Sequence, residues 1–344
     1  MKLNVPLFWF KIWNFRIYCN RLCKQFYFFS VIYKHLNSIN FVIVGDFSIA
    51  HELGTKGTAA TDIEIYDRKI SDYIFTWTLP IKFPDKIQSL MQAVNIAEYA
   101  ILNVTKLDKH LGEEIIALDY VNFKDGFILH SHEIDEIKLK MLIKHTSIAE
   151  FKFLENIDQL KQEIRKLTPK HTEGPVMIEI DHAFDVKGVG TVILGMIKRG
   201  TVKVHDQLKI MPIAKDVVVK SIQMHDNTVI ESQSPARVGL AIKGTHASNI
   251  NRGDIICPQN TVEVSSEKVY AKFTKSAFSK DDITENQIYL ISIGLQIKPA
   301  KIKLIGQMIE IIPEKPIVYL HRQTCVVLKP DSLGTRIIGK AVIQ

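Results

Sequence analysis

The segment from Val176 to Asn260 contains short runs in which apolar and polar residues alternate, and this pattern constrains the fold more than any other part of the chain. A side-chain period of two is typical of β-strands with one buried face. Glycines interrupt the runs, where strands turn or backbones pack closely. The pattern predicts a β-barrel. Its strands are predicted at Val176–Ile180, Gly190–Ile197, Gln207–Met211, Val217–Ile222 and Val238–Ile242.

A second strand-rich region covers residues 261–344 and predicts a second β-barrel. It follows the first barrel, which we assign to residues 174–260. The turn-rich linker Thr168–Pro175 precedes both barrels. Strands of the second barrel are predicted at Lys268–Thr274, Ile288–Ile293, Ile302–Ile305, Met308–Ile312, Cys325–Leu328 and Arg336–Ile343.

Residues 40–168 have a different pattern, in which apolar runs alternate with amphipathic stretches of helical period. Strands that alternate with helices are typical of a parallel α/β sheet. The fold class predicted for the whole chain is therefore an α/β domain followed by two β-barrels. Strands of the first domain are predicted at Phe41–Gly45 and Tyr99–Val104, and helices at Asp85–Ala97, Asp135–Ile143 and Ile157–Leu167.

Residues 1–39 differ from the rest of the chain in composition, and we predict an N-terminal extension outside the fold. The first 40 residues carry six basic and no acidic residues, which leaves 38 basic and 37 acidic residues elsewhere. Any nucleic-acid site in the body must therefore be a local patch. Lysines and arginines interrupt every window of the about 20 apolar residues that a membrane-spanning helix needs. A surface-lying membrane helix stays open as an alternative.

The number and spacing of the cysteines indicate in which cellular compartment the protein resides. Four scattered cysteines, Cys19, Cys23, Cys257 and Cys325, fit a reducing cytosol, so we predict a cytoplasmic protein. No second cysteine pair stands near Cys19 and Cys23 to complete a zinc site. The polar stretch from His130 to Asp135 has irregular spacing and is predicted to be a solvated turn. No metal site is expected.

Several segments of the first barrel carry a family resemblance: Asp181–Val192, Gly195–Gly200, Val202–Lys209, Val219–Gln223, Ala236–Gly244 and Arg252–Asp254. They resemble domain two of the translational GTPases of the elongation factor Tu type, in particular the archaeal selenocysteine-specific elongation factor. Ser292–Ala300 and Arg336–Gly339 resemble its third domain. The resemblance implies that residues 40–168 form a P-loop-GTPase-like domain that binds GTP and Mg²⁺ when its motifs are intact. The fourth domain of the selenocysteine factor has no counterpart in this chain.

The P-loop of this family reads Gly-x-x-x-x-Gly-Lys-Ser/Thr after the first strand. Its backbone N–H groups cradle the phosphates, its lysine neutralises them and its hydroxyl binds Mg²⁺. Gly45 stands at the first glycine, but Ala50, His51 and Glu52 stand where Gly, Lys and Ser/Thr are required. A neutral histidine and a carboxylate at these positions predict that the phosphate site is lost.

The family's second signature, Asp-x-x-Gly, reaches the metal and the γ-phosphate. Its two positions align with Leu79 and Lys82, neither of which can act in this way. Phe83 stands where the family positions the attacking water, and a phenylalanine cannot act as a general base.

The guanine-binding signature, Asn/Thr-Lys-x-Asp, matches Thr105–Asp108 literally, but this match follows a strand that comes one β–α unit too early. At the expected place the chain reads His130–Glu133. The Ser-Ala-Lys loop that supports the base aligns with Glu150–Lys152. Four altered signatures together predict a pseudo-GTPase.

Three functional hypotheses follow. The first is an elongation-factor-like protein, monomeric and without a cofactor, that binds tRNA or the ribosome. Its RNA contacts are predicted at Lys187, Lys198, Arg199, Arg237, Arg252 and Arg322. The second is a working elongation factor that binds GTP and Mg²⁺ through unorthodox residues. The third is a regulatory scaffold that binds a protein partner through residues 46–62.

Overall fold

The computed structural model of the chain describes residues 36–59, 62–285 and 287–344. The predictions made for residues 1–35, Cys19 and Cys23 included, lie outside the described residues. The first strand begins at Asn37, and Leu36 and Ile39 are both buried in hydrophobic cores. The first strand therefore begins three residues before the predicted domain start at residue 40.

Seven strands form the sheet of the first domain: β1 (Asn37–Gly45), β2 (Thr55–Ala59), β3 (Glu64–Ile70), β4 (Tyr73–Leu79), β5 (Tyr99–Val104), β6 (Gly126–His130) and β7 (Lys152–Phe153). Their order is β2-β3-β4-β1-β5-β6-β7. Strands β4, β1, β5, β6 and β7 run parallel, whereas β2 and β3 pair antiparallel at one edge. The sheet is thus mixed, because only Ser71 and Asp72 connect β3 to β4, and a parallel crossover needs a dozen residues or more.

The helices of the first domain are α1 (Ala50–Leu53), α2 (Ile87–Ile96), α3 (Lys109–Val121), α4 (Glu136–Ile143) and α5 (Ile157–Ile164). Helices α2, α4 and α5 confirm the predicted positions. Helix α3 was absent from the predictions because Glu113 and Glu114 occupy buried positions and break its apolar period. No helix among the described residues is long and apolar enough to cross a membrane.

The second domain is a closed barrel, as predicted: the strands at the two ends of the order given below pair with each other. Around the barrel the order is β11-β16-β8-β9-β15-β12, and β11 pairs with β12. These six strands are β8 (Met177–Val186), β9 (Gly190–Arg199), β11 (Gln207–Met211), β12 (Lys215–Met224), β15 (Arg237–Lys243) and β16 (Ile255–Cys257). Short additional strands are β10 (Thr201–Lys203), β13 (Asn227–Val229) and β14 (Glu231–Gln233).

The third domain is a second closed barrel, of order β18-β21-β20-β19-β23-β24, which confirms the prediction. Its strands are β18 (Val269–Lys275), β19 (Ile288–Ile293), β20 (Gln296–Ile305), β21 (Met308–Pro313), β23 (Thr324–Leu328) and β24 (Ile337–Ile343). The short strands β17 (Glu263–Ser265) and β22 (Ile317–Tyr319) pair with each other.

The hydrophobic cores of the domains are continuous with one another. Leu118 on α3 belongs to the same buried cluster as Val326 and Ile337 of the third domain. A smaller cluster joins all three domains and contains Ile63, Ile65, Ile96, Met196 and Leu295.

Candidate functional site

The loop that follows β1 lies where the family resemblance places the P-loop, at the carboxyl end of a central parallel strand. Gly45 has φ of 86°, and a Cβ atom there would overlap the carbonyl oxygen of Asn103 on β5. The Asp46 N–H donates to the Asn103 carbonyl at 2.9 Å, and the Asn103 side chain donates back to the Asp46 carbonyl at 2.9 Å. The start of the loop is therefore fixed to the neighbouring strand.

Two backbone donors of this loop, the N–H groups of Ser48 and Ala50, are bonded within the loop itself. The Ser48 N–H donates to the Asp46 carboxylate at 3.0 Å, and the Ser48 hydroxyl donates to its second oxygen at 2.8 Å. The Ala50 N–H donates to the Phe47 carbonyl at 3.0 Å. A loop that cradles phosphate needs free N–H groups and an electropositive surface. Here the Asp46 carboxylate takes the place of such an anion.

The three altered P-loop residues lie in or beside α1, which is a single turn. Ala50 is completely buried, and the His51 ring packs edge-on against Tyr66, with ring centroids 5.1 Å apart. The Glu52 carboxylate pairs with Lys161 on α5 at 3.1 Å. None of these side chains supplies a cation to the loop.

The segment after β4 contains no ligand for a metal at the positions of the second signature. Leu79 is the last residue of β4 and is buried. Lys82 lies exposed in the following turn, and its N–H donates to the Ser89 hydroxyl at 3.3 Å. The Phe83 ring packs edge-on against His110, with centroids 5.9 Å apart.

The literal guanine-binding match has a structural role. Asp108 is the N-cap of α3, and its carboxylate accepts from the backbone N–H groups of His110 at 2.9 Å and Leu111 at 3.0 Å. The match follows β5, which is the immediate neighbour of β1 in the sheet. The expected position after β6 is held by His130, whose Nε2 lies 3.3 Å from the Glu136 carboxylate.

The stretch aligned with the fourth signature overlaps a short strand. Glu150 precedes β7 and Lys152 begins it, and the loop between β7 and α5 consists of Leu154–Asn156. Asn156 caps α5 by accepting from the N–H groups of Asp158 and Gln159. Strand β7 was not predicted, because its two residues leave no period in the sequence.

A buried carboxylate on α3 supports the loop from below. The Gly45 N–H donates to Glu114 Oε1 at 2.9 Å, and burial raises the pKa of Glu114 to about 7. This buried acid was not predicted, because the sequence alone does not distinguish a buried glutamate from a solvated one.

A second carboxyl with a raised pKa, that of Glu98, lies at the junction of the first and second domains. Burial raises the pKa of Glu98 to about 7, and Lys198 of the second domain and the side chain of Asn40 partly offset this shift. The Asn40 side chain donates to Glu98 at 3.0 Å. Lys198 donates to the carbonyl of Asn95 at 2.8 Å and also lies near the buried Glu179. Lys198 is thus surrounded by acceptors at a domain junction.

We expect these two carboxyls to make stability fall as pH rises towards neutrality. Both have folded-state pKa values raised from 4.5 to about 7. Their stabilising contribution is therefore complete below 4.5 and is lost as pH rises through about 7. Urea unfolding across this range should show a smaller pH dependence for Glu98→Gln and for Glu114→Gln. The exposed Glu133→Gln is the matched control, and equal slopes in all variants would contradict the assignment.

The structure places three of the predicted RNA contacts in bonds within the protein. Arg237 donates to the Asp181 carboxylate at 2.8 and 3.0 Å. Arg252 donates to the Asp62 carboxylate at 2.6 Å. Together with Lys198, these side chains connect parts of the fold. Arg237 and Arg252 form ion pairs with Asp181 and Asp62, and the role of all three side chains as RNA contacts stays a prediction.

The remaining predicted contacts are more accessible. Lys187 and Arg322 are exposed, in the β8–β9 turn and before β23. Arg199 donates to the carbonyl of Pro175 at 3.1 Å and is partly exposed. Lys187, Arg199 and Arg322 are therefore the more accessible of the predicted RNA contacts.

The polar stretch after β6 is a capped helix start. Asp135 caps α4 by accepting from the N–H groups of Ile137 at 3.0 Å and Lys138 at 3.2 Å. Within the described ranges, no group of three or more His, Cys, Asp or Glu side chains is placed to hold a metal ion.

Sequence comparison finds similarity to elongation factors and to one uncharacterized archaeal protein. A family model described as elongation factor Tu domain 2 matches residues 190–257. The uncharacterized protein MJ0325 of Methanocaldococcus jannaschii is 34% identical over 295 residues, which cover 85% of this chain and 94% of that protein. The selenocysteine-specific elongation factor of the same organism is 31% identical over 240 residues, which cover 63% of this chain but only 51% of that factor.

Solved structures share the fold. The translation elongation factor SelB from Methanococcus maripaludis, in complex with the GTP analogue GppNHp, superposes with a TM-score of 0.77 at 24% identity. The match covers 90% of this chain and 79% of that one. The apo form of the same factor gives a TM-score of 0.73.

Proposed function

Since the chain belongs to the translational GTPase superfamily of the elongation factor Tu type, we propose that it is a pseudo-GTPase that binds tRNA or the ribosome without hydrolysing GTP. The observation that carries the proposal is the loop after β1. The Ser48 N–H donates to the Asp46 carboxylate and the Ala50 N–H donates to the Phe47 carbonyl, so two of its N–H groups are bonded within the loop. No lysine follows at the P-loop position.

Electrostatics supports this reading of the loop. Asp46 places a carboxylate in the loop, whereas Glu52 is paired with Lys161 and burial raises the pKa of Glu114 to about 7. The triphosphate of GTP would therefore approach the Asp46 carboxylate with no P-loop lysine to neutralise it. Like charges brought together in this way disfavour binding.

Contacts between the domains support the absence of a nucleotide-driven switch. Arg252 of the second domain donates to Asp62 before β3 at 2.6 Å and to Gln92 on α2 at 3.0 Å. It also donates to the Asp181 carbonyl at 3.0 Å. In switching GTPases the corresponding segments are ordered by the γ-phosphate and Mg²⁺. Here the Arg252 side chain bonds both segments to the second domain.

We expect the full chain to bind tRNA equally well with and without GTP and Mg²⁺. Fluorescence anisotropy of labelled tRNA measures this affinity. The affinity should fall as salt rises, because phosphate contacts release counterions. A Lys187→Glu/Arg322→Glu variant should bind about tenfold more weakly, whereas Lys215→Glu, exposed on β12, is the matched control. A GTP-dependent affinity, or no binding of tRNA or ribosomes, would refute the proposal.

A further inference from the structure

The outer face of the third barrel combines exposed apolar side chains with lysines. Pairing register places Ile288 of β19, Lys301 of β20 and Ile312 of β21 side by side in one row across three strands. The alternate residues Ile302 and Ile311 are buried in the barrel core, so this row points outwards.

Two further rows continue this outer face along the same strands. Tyr270, Glu310 and Lys303 lie side by side on β18, β21 and β20, and Lys272, Met308 and Ile305 form the next row. The outer face is therefore defined by three successive rows of neighbouring side chains on these strands.

The exposure of the apolar members is unusual for a barrel surface. Ile288 is 51% exposed, Ile305 46%, Ile312 42% and Tyr270 40%. Isolated exposed apolar residues need no explanation, but apolar residues clustered on adjacent strands mark interaction sites. Tyrosine and methionine are also enriched at protein interfaces.

The charge of the outer face is basic. Its one carboxylate, Glu310, accepts from the Tyr270 hydroxyl at 2.8 Å and lies 3.5 Å from Lys268. Lys303 lies beside Glu310 in the same row and interacts electrostatically with it, whereas Lys272 and Lys301 form no ion pair among the described residues. The face thus carries three lysines and one carboxylate, and Lys301 lies directly between two isoleucines.

From this arrangement we infer that the outer face binds an acidic protein segment that carries aliphatic side chains. Carboxylates of the partner would meet Lys301 and Lys303, while its aliphatic groups would cover Ile288 and Ile312. The isoleucines on both sides of Lys301 can neither bond a phosphate nor stack on a base, so this row suits an aliphatic partner better than RNA.

Charge also argues against an occupant from this chain. Residues 1–35 carry six basic and no acidic residues, so they repel the lysines of the face. The same face of a second copy is basic as well, which disfavours a symmetric dimer formed through it. An acidic partner protein is the occupant that complements both the charge and the apolar rows.

The test uses a fluorescein-labelled peptide of about twelve residues in which glutamate and leucine alternate, so that one edge of an extended segment is apolar. Anisotropy should report binding to the full chain, and Lys301→Glu/Lys303→Glu and Ile312→Asp should each weaken it about tenfold. A peptide with serine in place of leucine should bind much more weakly. All substituted residues are exposed, so the variants should melt like the parent chain.

Lys215→Glu in the second domain is the control and should change the affinity less than about twofold. The inference is overturned if the peptide does not bind, if the control weakens binding as much as the variants, or if the serine peptide binds equally. It is also overturned if oligouridine or phosphatidylserine vesicles, rather than the peptide, bind and lose affinity in the same variants. None of these outcomes depends on whether the chain binds tRNA.

Discussion

Replacing Arg336 with alanine should lower the free energy of unfolding by about 3–5 kcal/mol, because it leaves a buried glutamate without its partner. Glu113 on α3 accepts from Arg336 Nε at 3.0 Å, from Nη2 at 2.5 Å and from the Arg336 backbone N–H at 2.8 Å. The exposed fractions of the two side chains are 12% and 4%. Arg336 also donates to the carbonyl of Pro84 at 2.6 Å. This pair therefore joins the first and third domains.

Urea unfolding of the full chain measures the effect. The double variant Glu113→Leu/Arg336→Met should recover most of the loss, because removing both charges removes the desolvation penalty. Lys140→Ala is the matched control: it breaks an exposed pair with Glu136 and should cost no more than about 0.5 kcal/mol. If Arg336→Ala and Lys140→Ala cost the same, the pair does not hold the domains together.

Gly45→Ala is the second change with a large expected effect, of about 3 kcal/mol or more of destabilisation. Alanine is strained at a φ of 86°, and its Cβ would overlap the backbone carbonyl of Asn103. The carbonyl belongs to β5 and cannot move without disturbing the sheet centre. The loop after β1 would therefore lose its fixed start.

Gly112→Ala provides the matched control for the glycine prediction. Gly112 lies inside α3, and a Cβ there would have no neighbour within 4 Å. This change should stabilise the chain by about 0.5–1 kcal/mol, since alanine is the better helix former. Unfolding curves of the two variants should thus move in opposite directions. A Gly45→Ala variant as stable as the parent chain would contradict the prediction, because the loop would then accommodate the added Cβ without strain.

Periodicity predicts those elements whose pattern comes from one buried face. Strands β5, β11 and β19 begin and end at the predicted residues, and α2 lies within its predicted range. The two barrels follow from short alternating strands alone. Periodicity did not predict helix α3 or strand β7, because the helix buries two glutamates and the strand has only two residues.

The candidate site was predictable where it depends on residue identity at one place in the chain. Ala50, His51 and Glu52 are legible in the sequence, and so is the absence of a P-loop lysine. Ion pairs between residues far apart in the chain could not be predicted from the sequence. Arg237 and Arg252 carry charges that suit RNA in sequence, but their partners Asp181 and Asp62 become visible only when the chain is folded.

Isothermal titration of the full chain with GTP and Mg²⁺ tests the central claim most directly. We predict no heat of binding up to about 1 mM nucleotide, because Asp46 and the internal hydrogen bonds replace the phosphate cradle. ATP serves as the specificity control in the same experiment. Micromolar binding of GTP with little or no binding of ATP would contradict the claim that the chain has lost its nucleotide site.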